Sequence, residues 1–274
     1  MIQKISLLFV LTIYAIVASS QSDINKPLIV GHRGGFDVSL PENSIALFDF
    51  TFQNACLHPI AVEFDIRESA SGSLYIMHDS TVDRTTNGSG KINQLPDSYI
   101  KTLYLKDRNG NMTQEKVPLF SEVLRNFQGK NIVMMLDVKG NIWPKVLSLV
   151  TQMQLESKCI ALTFNQKNTK LVRAISSGIM ISSLVLNKVD WESLLEIQIP
   201  DQQLIAYVSE ETPSELISVI NKSNVVVMTD MSERIRNNSK PYDPGYYMDF
   251  LKEMHPGIII SDYPVYVNKL FCGK

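Results

Sequence analysis

A histidine and an arginine follow each other where an apolar segment near the start of the chain ends. Residues 28–30 predict a short buried strand, and His32 and Arg33 come directly after it. An acid–base side chain beside a fixed bidentate cation suits an anionic substrate, phosphate above all. For these two residues alone, a buried histidine beside a surface arginine is an equal alternative.

Two carboxylates share one face of the next predicted strand, residues 60–66. Glu63 and Asp65 are two positions apart, and successive side chains of a strand point to opposite faces. Because neighbouring carboxylates repel each other, a hard divalent cation, Mg²⁺ or Ca²⁺, would stabilise the pair. An exposed strand face, or an arginine partner such as Arg67, is the alternative to a metal site.

A hairpin and a further strand add three residues to this set. A turn at residues 71–72 and a return over 74–77 bring His78 back beside the carboxylates. Two histidines supply what phosphodiester cleavage needs, a base for the nucleophile and an acid for the leaving alcohol. At the end of strand 131–138, Asp137 would complete a three-carboxylate metal site. Lys139, on the same face, would meet a phosphate oxygen or balance the charge.

Strands and helices alternate along the chain in a way that positions these residues. We predict strands over 28–30, 60–66, 131–138, 159–164, 179–186, 203–208, 224–229 and 257–261. Residues 41–44 open the first predicted helix, and the later helices cover 118–128, 142–156, 166–177, 190–197, 212–222, 244–254 and 264–272. Eight such units close a TIM-type (β/α)8 barrel, whose chemistry lies at the carboxyl ends of the strands.

Two polar stretches interrupt the alternation. Residues of about 66–117 form a small insertion after the second strand, and the turn-rich part, 80–117, is expected to cover part of the site. Within it, residues 103–105 form either a small packing cluster or the lip of an apolar groove. A long polar loop is predicted over residues 230–242.

The first twenty residues have the pattern of a secretory signal peptide. Lys4 precedes an apolar run over 5–17, and small residues at 18–20 form a cleavage site. We therefore expect residues 21–274 to form a single barrel domain without a stable membrane anchor. The protein would be secreted or lie in the lumen of the secretory or lysosomal pathway, or in the periplasm of a bacterium. A transmembrane anchor is the alternative.

The composition excludes some partners and leaves others open. A net charge of −2 gives no basic surface for nucleic acid, and the oligomeric state is not predicted. Four sequons mark possible glycosylation sites in a secreted chain. They begin at Asn87, Asn111, Asn221 and Asn237.

Three cysteines permit one disulfide. Cys56 lies at the end of the first predicted helix and Cys272 in the last, and these helices are neighbours in an eight-unit barrel. We predict a Cys56–Cys272 disulfide and a free, buried Cys159. Three unpaired thiols are the alternative.

Seven short motifs occur in the order seen in the glycerophosphodiester phosphodiesterase family, and the chain resembles that family over nearly its whole mature length. They are Gly31-His32-Arg33-Gly34, Pro41-Glu42-Asn43-Ser44, Glu63-Phe64-Asp65, His78-Asp79 with Asp83-Arg84-Thr85-Thr86-Asn87-Gly88, Val117-Pro118-Leu119, Asp137-Val138-Lys139 and Ile259-Ile260-Ser261-Asp262-Tyr263-Pro264. The resemblance implies a TIM-type barrel, a divalent metal, and hydrolysis of glycerophosphodiesters to glycerol phosphate and an alcohol.

The resemblance also implies roles for seven residues. His32 and His78 match the family's acid–base pair. Glu63, Asp65 and Asp137 match its metal ligands, and Arg33 and Lys139 match its phosphate-contacting cations.

Two departures from the family pattern bear on the substrate. Asp137 stands where the family more often has glutamate, and an aspartate at this position resembles the related sphingomyelinase D enzymes. Met228 stands where a tryptophan is common. The expected substrate is a small-molecule or lysolipid phosphodiester. The alternatives are an enzyme like lysophospholipase D or sphingomyelinase D, and a barrel that only binds.

Overall fold

The computed structural model describes residues 26–231 and 233–272, and the predicted signal peptide lies outside them. Its strands follow the apolar runs of the sequence. They are β1 Leu28–Gly31, β2 Ile60–Glu68, β3 Leu74–Ile76, β4 Tyr104–Lys106, β5 Met112–Lys116, β6 Ile132–Val138, β7 Cys159–Thr163, β8 Met180–Leu184, β9 Leu204–Tyr207, β10 Val226–Asp230 and β11 Ile258–Ser261.

Eight parallel strands of the described chain close a barrel, which confirms the predicted fold. Their order is β1-β11-β10-β9-β8-β7-β6-β2, and β1 pairs with both β11 and β2. The short strand β3 extends β2 as an antiparallel hairpin. Because the strands are parallel, their carboxyl ends meet at one rim, where the candidate residues were expected.

The two faces of each barrel strand pack into different layers. On β2, Val62, Phe64 and Ile66 point outward into the main core beneath the helices, whereas Ala61 points into the barrel. Glu63 and Asp65 continue the inward row toward the rim because side chains alternate along a strand. Asp137 continues the inward row of β6 in the same way, above Val133 and Met135.

Helices follow the barrel strands, as the predicted alternation of strands and helices requires. Their bounds are Ile45–Asn54, Asp97–Ile100, Phe120–Phe127, Trp143–Gln152, Gln166–Ile175, Lys188–Leu195, Ser214–Asn221, Glu233–Arg236, Pro244–Met254 and Pro264–Lys269. Ser44 caps the first of these, since its side chain accepts a hydrogen bond from Leu47 N at 3.1 Å.

The structure differs from the prediction at several element ends and in one loop. The helix expected to reach residue 156 ends at Gln152, because Gln154 takes a left-handed φ of 58°. The last helix ends at Lys269, so Cys272 lies beyond it. The segment expected to be a loop contains the short helix Glu233–Arg236, whose fully buried Glu233 accepts hydrogen bonds from Ser261 and Tyr247.

The polar segment after β3 has a small core of its own. Leu103 and Leu105 are buried in a cluster with Tyr75, Val82 and Ile92, so residues 103–105 form a packing cluster and not the lip of a groove. The cluster sits between the hairpin and the two-stranded β4–β5 sheet. This packing gives the segment a defined position above the rim.

A disulfide joins Cys56 to Cys272, with the two Cα atoms 6.3 Å apart, and Cys159 is free and buried. Asn268 reinforces the junction, because its side-chain oxygen accepts hydrogen bonds from Cys56 N and Leu57 N. The amino end of β2 follows Cys56, so the disulfide lies at the end of the barrel opposite the rim.

The described residues also bear on the sequons and on membranes. Asn87 and Asn111 are exposed, whereas the Asn221 and Asn237 side chains are half-buried and donate to backbone carbonyls. Glycosylation stays a prediction. Across residues 26–231 and 233–272, no helix combines the length and apolarity needed to span a membrane.

Candidate active site

A tight turn after β1 aims the first predicted pair into the rim. Arg33 takes a left-handed φ of 51°, and Gly34 and Gly35 follow at 91° and 103°. A Cβ atom on Gly34 would lie 2.6 Å from Phe48, so only glycine fits there. In this turn the Arg33 backbone N–H donates to a Glu63 carboxylate oxygen at 2.7 Å.

Glu63, Asp65 and Asp137 form a buried acidic triad. They offer one oxygen each, and these oxygens lie within 4.8 Å of one another. Burial and the charge of Asp65 raise the pKa of Glu63 to about 8, and burial also raises the pKa of Asp137. Lys139 lies 2.9 Å from Asp65 and 2.6 Å from Asp137, so in this structure it balances charge, one of its two predicted roles.

The donor set of the triad fits a hard divalent cation. Three carboxylates converge in a buried site, and burial is the largest cause of the raised pKa values of Glu63 and Asp137. Oxygen ligands are those that Mg²⁺ and Ca²⁺ take. Asn43 orients one of the three carboxylates, because its amide donates to Asp65 at 2.8 Å.

His32 lies beside the triad and is held by a carboxylate. Its Nδ1 atom is 2.9 Å from an Asp262 oxygen, and about a quarter of the side chain, 26 %, is exposed. Burial alone would lower the pKa of His32, but the Asp262 hydrogen bond and the charge of Glu63 raise it to about 9. The Asp262 contact leaves the opposite ring nitrogen, Nε2, to meet a substrate.

His78 has a matching arrangement on the hairpin. Its Nδ1 atom is 2.8 Å from Asp79, and Arg84 holds Asp79 in turn through its Nε atom at 2.6 Å. This Arg84 hydrogen bond, followed by that of His78, lowers the pKa of Asp79. The carbonyl of His78 accepts two hydrogen bonds from Arg67. Arg67, the alternative partner for the Glu63–Asp65 pair, donates to this carbonyl from Nε and from Nη2.

Glu42 lies at the centre of a cluster of arginines. It is 5 % exposed and accepts hydrogen bonds from Arg33 at 3.1 Å, Arg84 at 2.7 Å and Arg108 at 2.7 Å. Arg234 is farther away, with its Nη1 atom 3.8 Å from Glu42. Burial would raise the pKa of Glu42, but the arginines lower it to about 2. The guanidinium of Arg33 is therefore partly engaged by protein carboxylates.

Several residues of the site carry no clear sequence signal. Asp79 and Asp262 stand inside recognisable motifs, yet nothing in their types indicates that each holds a histidine. Tyr207 ends an inward row on β9, where burial and the charge of Asp230 raise its pKa. Met228, the departure from the family pattern, is fully buried inside the barrel.

Proteins of one named family are similar to this chain in sequence. Residues 32–265 match the sequence profile of the Glycerophosphoryl diester phosphodiesterase family. A glycerophosphodiester phosphodiesterase of Caldanaerobacter subterraneus is 28 % identical over 166 residues, which cover 58 % of this chain and 67 % of the relative. Glycerophosphodiester phosphodiesterase 1 of Homo sapiens is 32 % identical over 115 residues, which span 41 % of this chain but 34 % of the human protein.

Solved structures share the fold. A glycerophosphoryl diester phosphodiesterase from Parabacteroides distasonis superposes with a TM-score of 0.79 at 26 % identity. The superposition covers 89 % of this chain and 86 % of the Parabacteroides chain. A phosphodiesterase from Oleispira antarctica, solved in complex with the product sn-glycerol-3-phosphate, has a TM-score of 0.69 at 18 % identity, with 89 % and 96 % covered. Because the family profile matches most of its length, the chain belongs to the glycerophosphoryl diester phosphodiesterase family, a family of phosphoric diester hydrolases.

Proposed function

We propose that the protein hydrolyses glycerophosphodiesters to glycerol phosphate and an alcohol, with a divalent metal and two histidines. The observation that carries the proposal is the buried acidic triad at the rim, flanked by His32 and His78, each held by its own carboxylate. The family membership and the product named in the Oleispira structure support the same substrate class.

The residues would divide the chemistry between them. Glu63, Asp65 and Asp137 would hold the metal, which when bound stabilises negative charge on the phosphate. The Arg33 guanidinium would contact a phosphate oxygen, and so would Lys139, whose partners Asp65 and Asp137 are two of the residues that would hold the metal. His32 and His78 would exchange protons through Nε2, one with the nucleophile and one with the leaving alcohol, because Nδ1 of each is engaged by aspartate.

The setting of this activity is a second part of the proposal. The signal-peptide pattern of residues 1–20 supports a secreted or lumenal enzyme, and the disulfide supports an oxidising compartment. Secretion of the full chain with loss of the first twenty residues, read by mass spectrometry of the mature protein, would test this. A mature protein that retains residue 1 would contradict it.

The activity itself is tested with purified enzyme and glycerophosphocholine. We expect release of glycerol phosphate that stops in EDTA and returns when Mg²⁺ or Ca²⁺ is added in excess. Lysophosphatidylcholine is the second substrate, and its preferred cleavage would favour the lysophospholipase D-like alternative. Undiminished turnover in EDTA would contradict the metal site, and binding without any turnover would favour a non-catalytic barrel.

A further inference from the structure

Four cationic side chains line a cavity of about 370 Å³. They are Arg84, Lys106, Arg108 and Arg234. Two acidic residues, Glu42 and Asp107, also line it. The Asp107 carboxylate accepts hydrogen bonds from its own loop, from the backbone of Asn109 and Asn111. We call this space the arginine cavity.

The arginine cavity holds more donors than its acceptors can satisfy. Glu42 is the carboxylate that Arg108 contacts within the described chain, and Arg33 and Arg84 share it. The Nε atom of Arg108 and the Nη1 atom of Arg234 are buried without a hydrogen-bond partner. Burial, together with the positive charges of Arg234 and Arg33, lowers the pKa of Arg108 to about 10. An additional anion would relieve this repulsion.

The arginine cavity is connected to the reaction site through single residues. Arg33 contacts Glu42 with its side chain and Glu63 of the triad with its backbone N–H. The backbone N–H of Arg234 donates to Asp262, the partner of His32. Arg33 alone therefore separates Glu42 from Glu63, and Asp262 alone separates Arg234 from His32, so the cavity adjoins the reaction site on both sides.

We propose that the arginine cavity binds a phosphate monoester carried by the alcohol part of the diester substrate. Guanidinium groups match tetrahedral phosphate through paired hydrogen bonds, and a doubly charged group gains most from several cations. The proposal rests on the proposed hydrolysis of glycerophosphodiesters and adds a substrate class to it, diesters with a second phosphate.

A matched pair of substrates tests this inference. We expect the wild-type enzyme to have a kcat/KM for glycerophosphoinositol 4-phosphate at least about tenfold above that for glycerophosphoinositol, the range of one charge-assisted hydrogen bond. Arg108→Gln and Arg234→Gln should each reduce this preference. Lys101→Gln, an exposed cation of the same insertion that does not line the cavity, is the matched control and should retain it.

A binding measurement keeps the test independent of turnover and of folding. Calorimetry in EDTA compares the affinities of the two substrates for each variant, and circular dichroism checks that the variants fold. Arg234→Gln changes only the side chain, so the hydrogen bond from the backbone N–H of residue 234 to Asp262 is retained. Loss of the affinity difference in both variants would support the proposal even if turnover were absent.

Three results would separate or overturn the proposals. If neither diester is cleaved but the affinity difference exists, the proposed activity fails and the cavity assignment stands. If both diesters are cleaved and bound equally, the cavity assignment fails alone. If inorganic phosphate changes the wild-type rate while both diesters are cleaved equally, the cavity takes a free anion, which overturns its assignment to the substrate.

Discussion

Each proposed catalytic histidine is the end of a chain of charged residues that starts at Glu42. Arg84 joins Glu42 to Asp79 and so to His78, while Arg234 approaches Glu42 and joins Asp262, which holds His32. Such a chain fixes both imidazole rings before substrate binds, because every member has a charged partner. Preorganisation of this kind is what acid–base catalysis requires.

Removing either imidazole should strongly reduce turnover without unfolding the protein. We expect His32→Ala and His78→Ala to lower kcat by about 10²–10⁴-fold, the usual contribution of a proton-transfer residue. Divalent metal binding, followed by calorimetry, should remain in both variants because the triad is intact. A His78→Ala enzyme with a near-normal rate would show that the hairpin histidine has another role.

The buried charge of Glu42 predicts a stability that depends on acid pH. Its pKa of about 2 lies below the ordinary value of 4.5, so ionised Glu42 stabilises the fold above pH 4.5 and the effect is lost as the pH falls toward 2. Between pH 5 and pH 3 the free energy of unfolding should fall by about 2 kcal/mol more in the wild type than in Glu42→Gln. Urea unfolding at both pH values measures the difference, and parallel losses would refute the assignment.

At the scale of elements, the turn that follows β1 needs glycine at position 34 for two reasons, the close packing of Phe48 and a left-handed backbone. Gly34→Ala would force a Cβ atom to 2.6 Å from Phe48 at a φ of 91°. We expect the free energy of unfolding to fall by about 3 kcal/mol, from overpacking together with the left-handed backbone. Activity should fall as well, because the same turn places His32 and Arg33.

A control separates the two causes. Gly110 has a similar φ of 84° but no atom within 4 Å of its would-be Cβ. Gly110→Ala should therefore cost only the backbone term, about 1 kcal/mol. Equal losses in urea unfolding of the two variants would mean that contact with Phe48 contributes nothing.

The elements that could be predicted from sequence are those with regular apolar patterns. The runs before Gly31, within β2 and within β6 predict strands, and their parallel order brings Glu63, Asp65 and Asp137 to one rim. The arginine cluster could not be predicted, because Arg108 lies in a turn and Arg234 in a short helix, and contacts distant in sequence position both. The short helix Glu233–Arg236 was not predicted for the same reason. Its buried Glu233 is held by Ser261 and Tyr247, which are distant in sequence.

At the scale of the whole molecule, one covalent bond closes the barrel between its first and last units. The Cys56–Cys272 disulfide spans 216 residues and therefore restricts the unfolded chain strongly. Replacing both cysteines by serine should lower the free energy of unfolding by about 4 kcal/mol, measured in urea. Activity under native conditions should persist, because the disulfide lies opposite the rim.

Reduction provides the control for the serine variant. Wild type treated with a reductant should reach the midpoint of the double variant, and the variant itself should not respond. A midpoint that is the same with and without reductant in the wild type would show that the bond contributes no stability.

The same bond determines how the molecule would respond to mechanical load. Pulled at residues 26 and 272, the chain transmits tension through the two sulfur atoms, so the segment between them carries no force. Only about 30 residues can then extend, by roughly 100 Å at about 3.5 Å each. That extensible segment holds β1, His32, Arg33 and Glu42. In optical tweezers, oxidised protein should give this single short extension, and reduced protein a far longer one. Tension would thus dismantle the reaction centre first, while strands β2 to β11 stay folded.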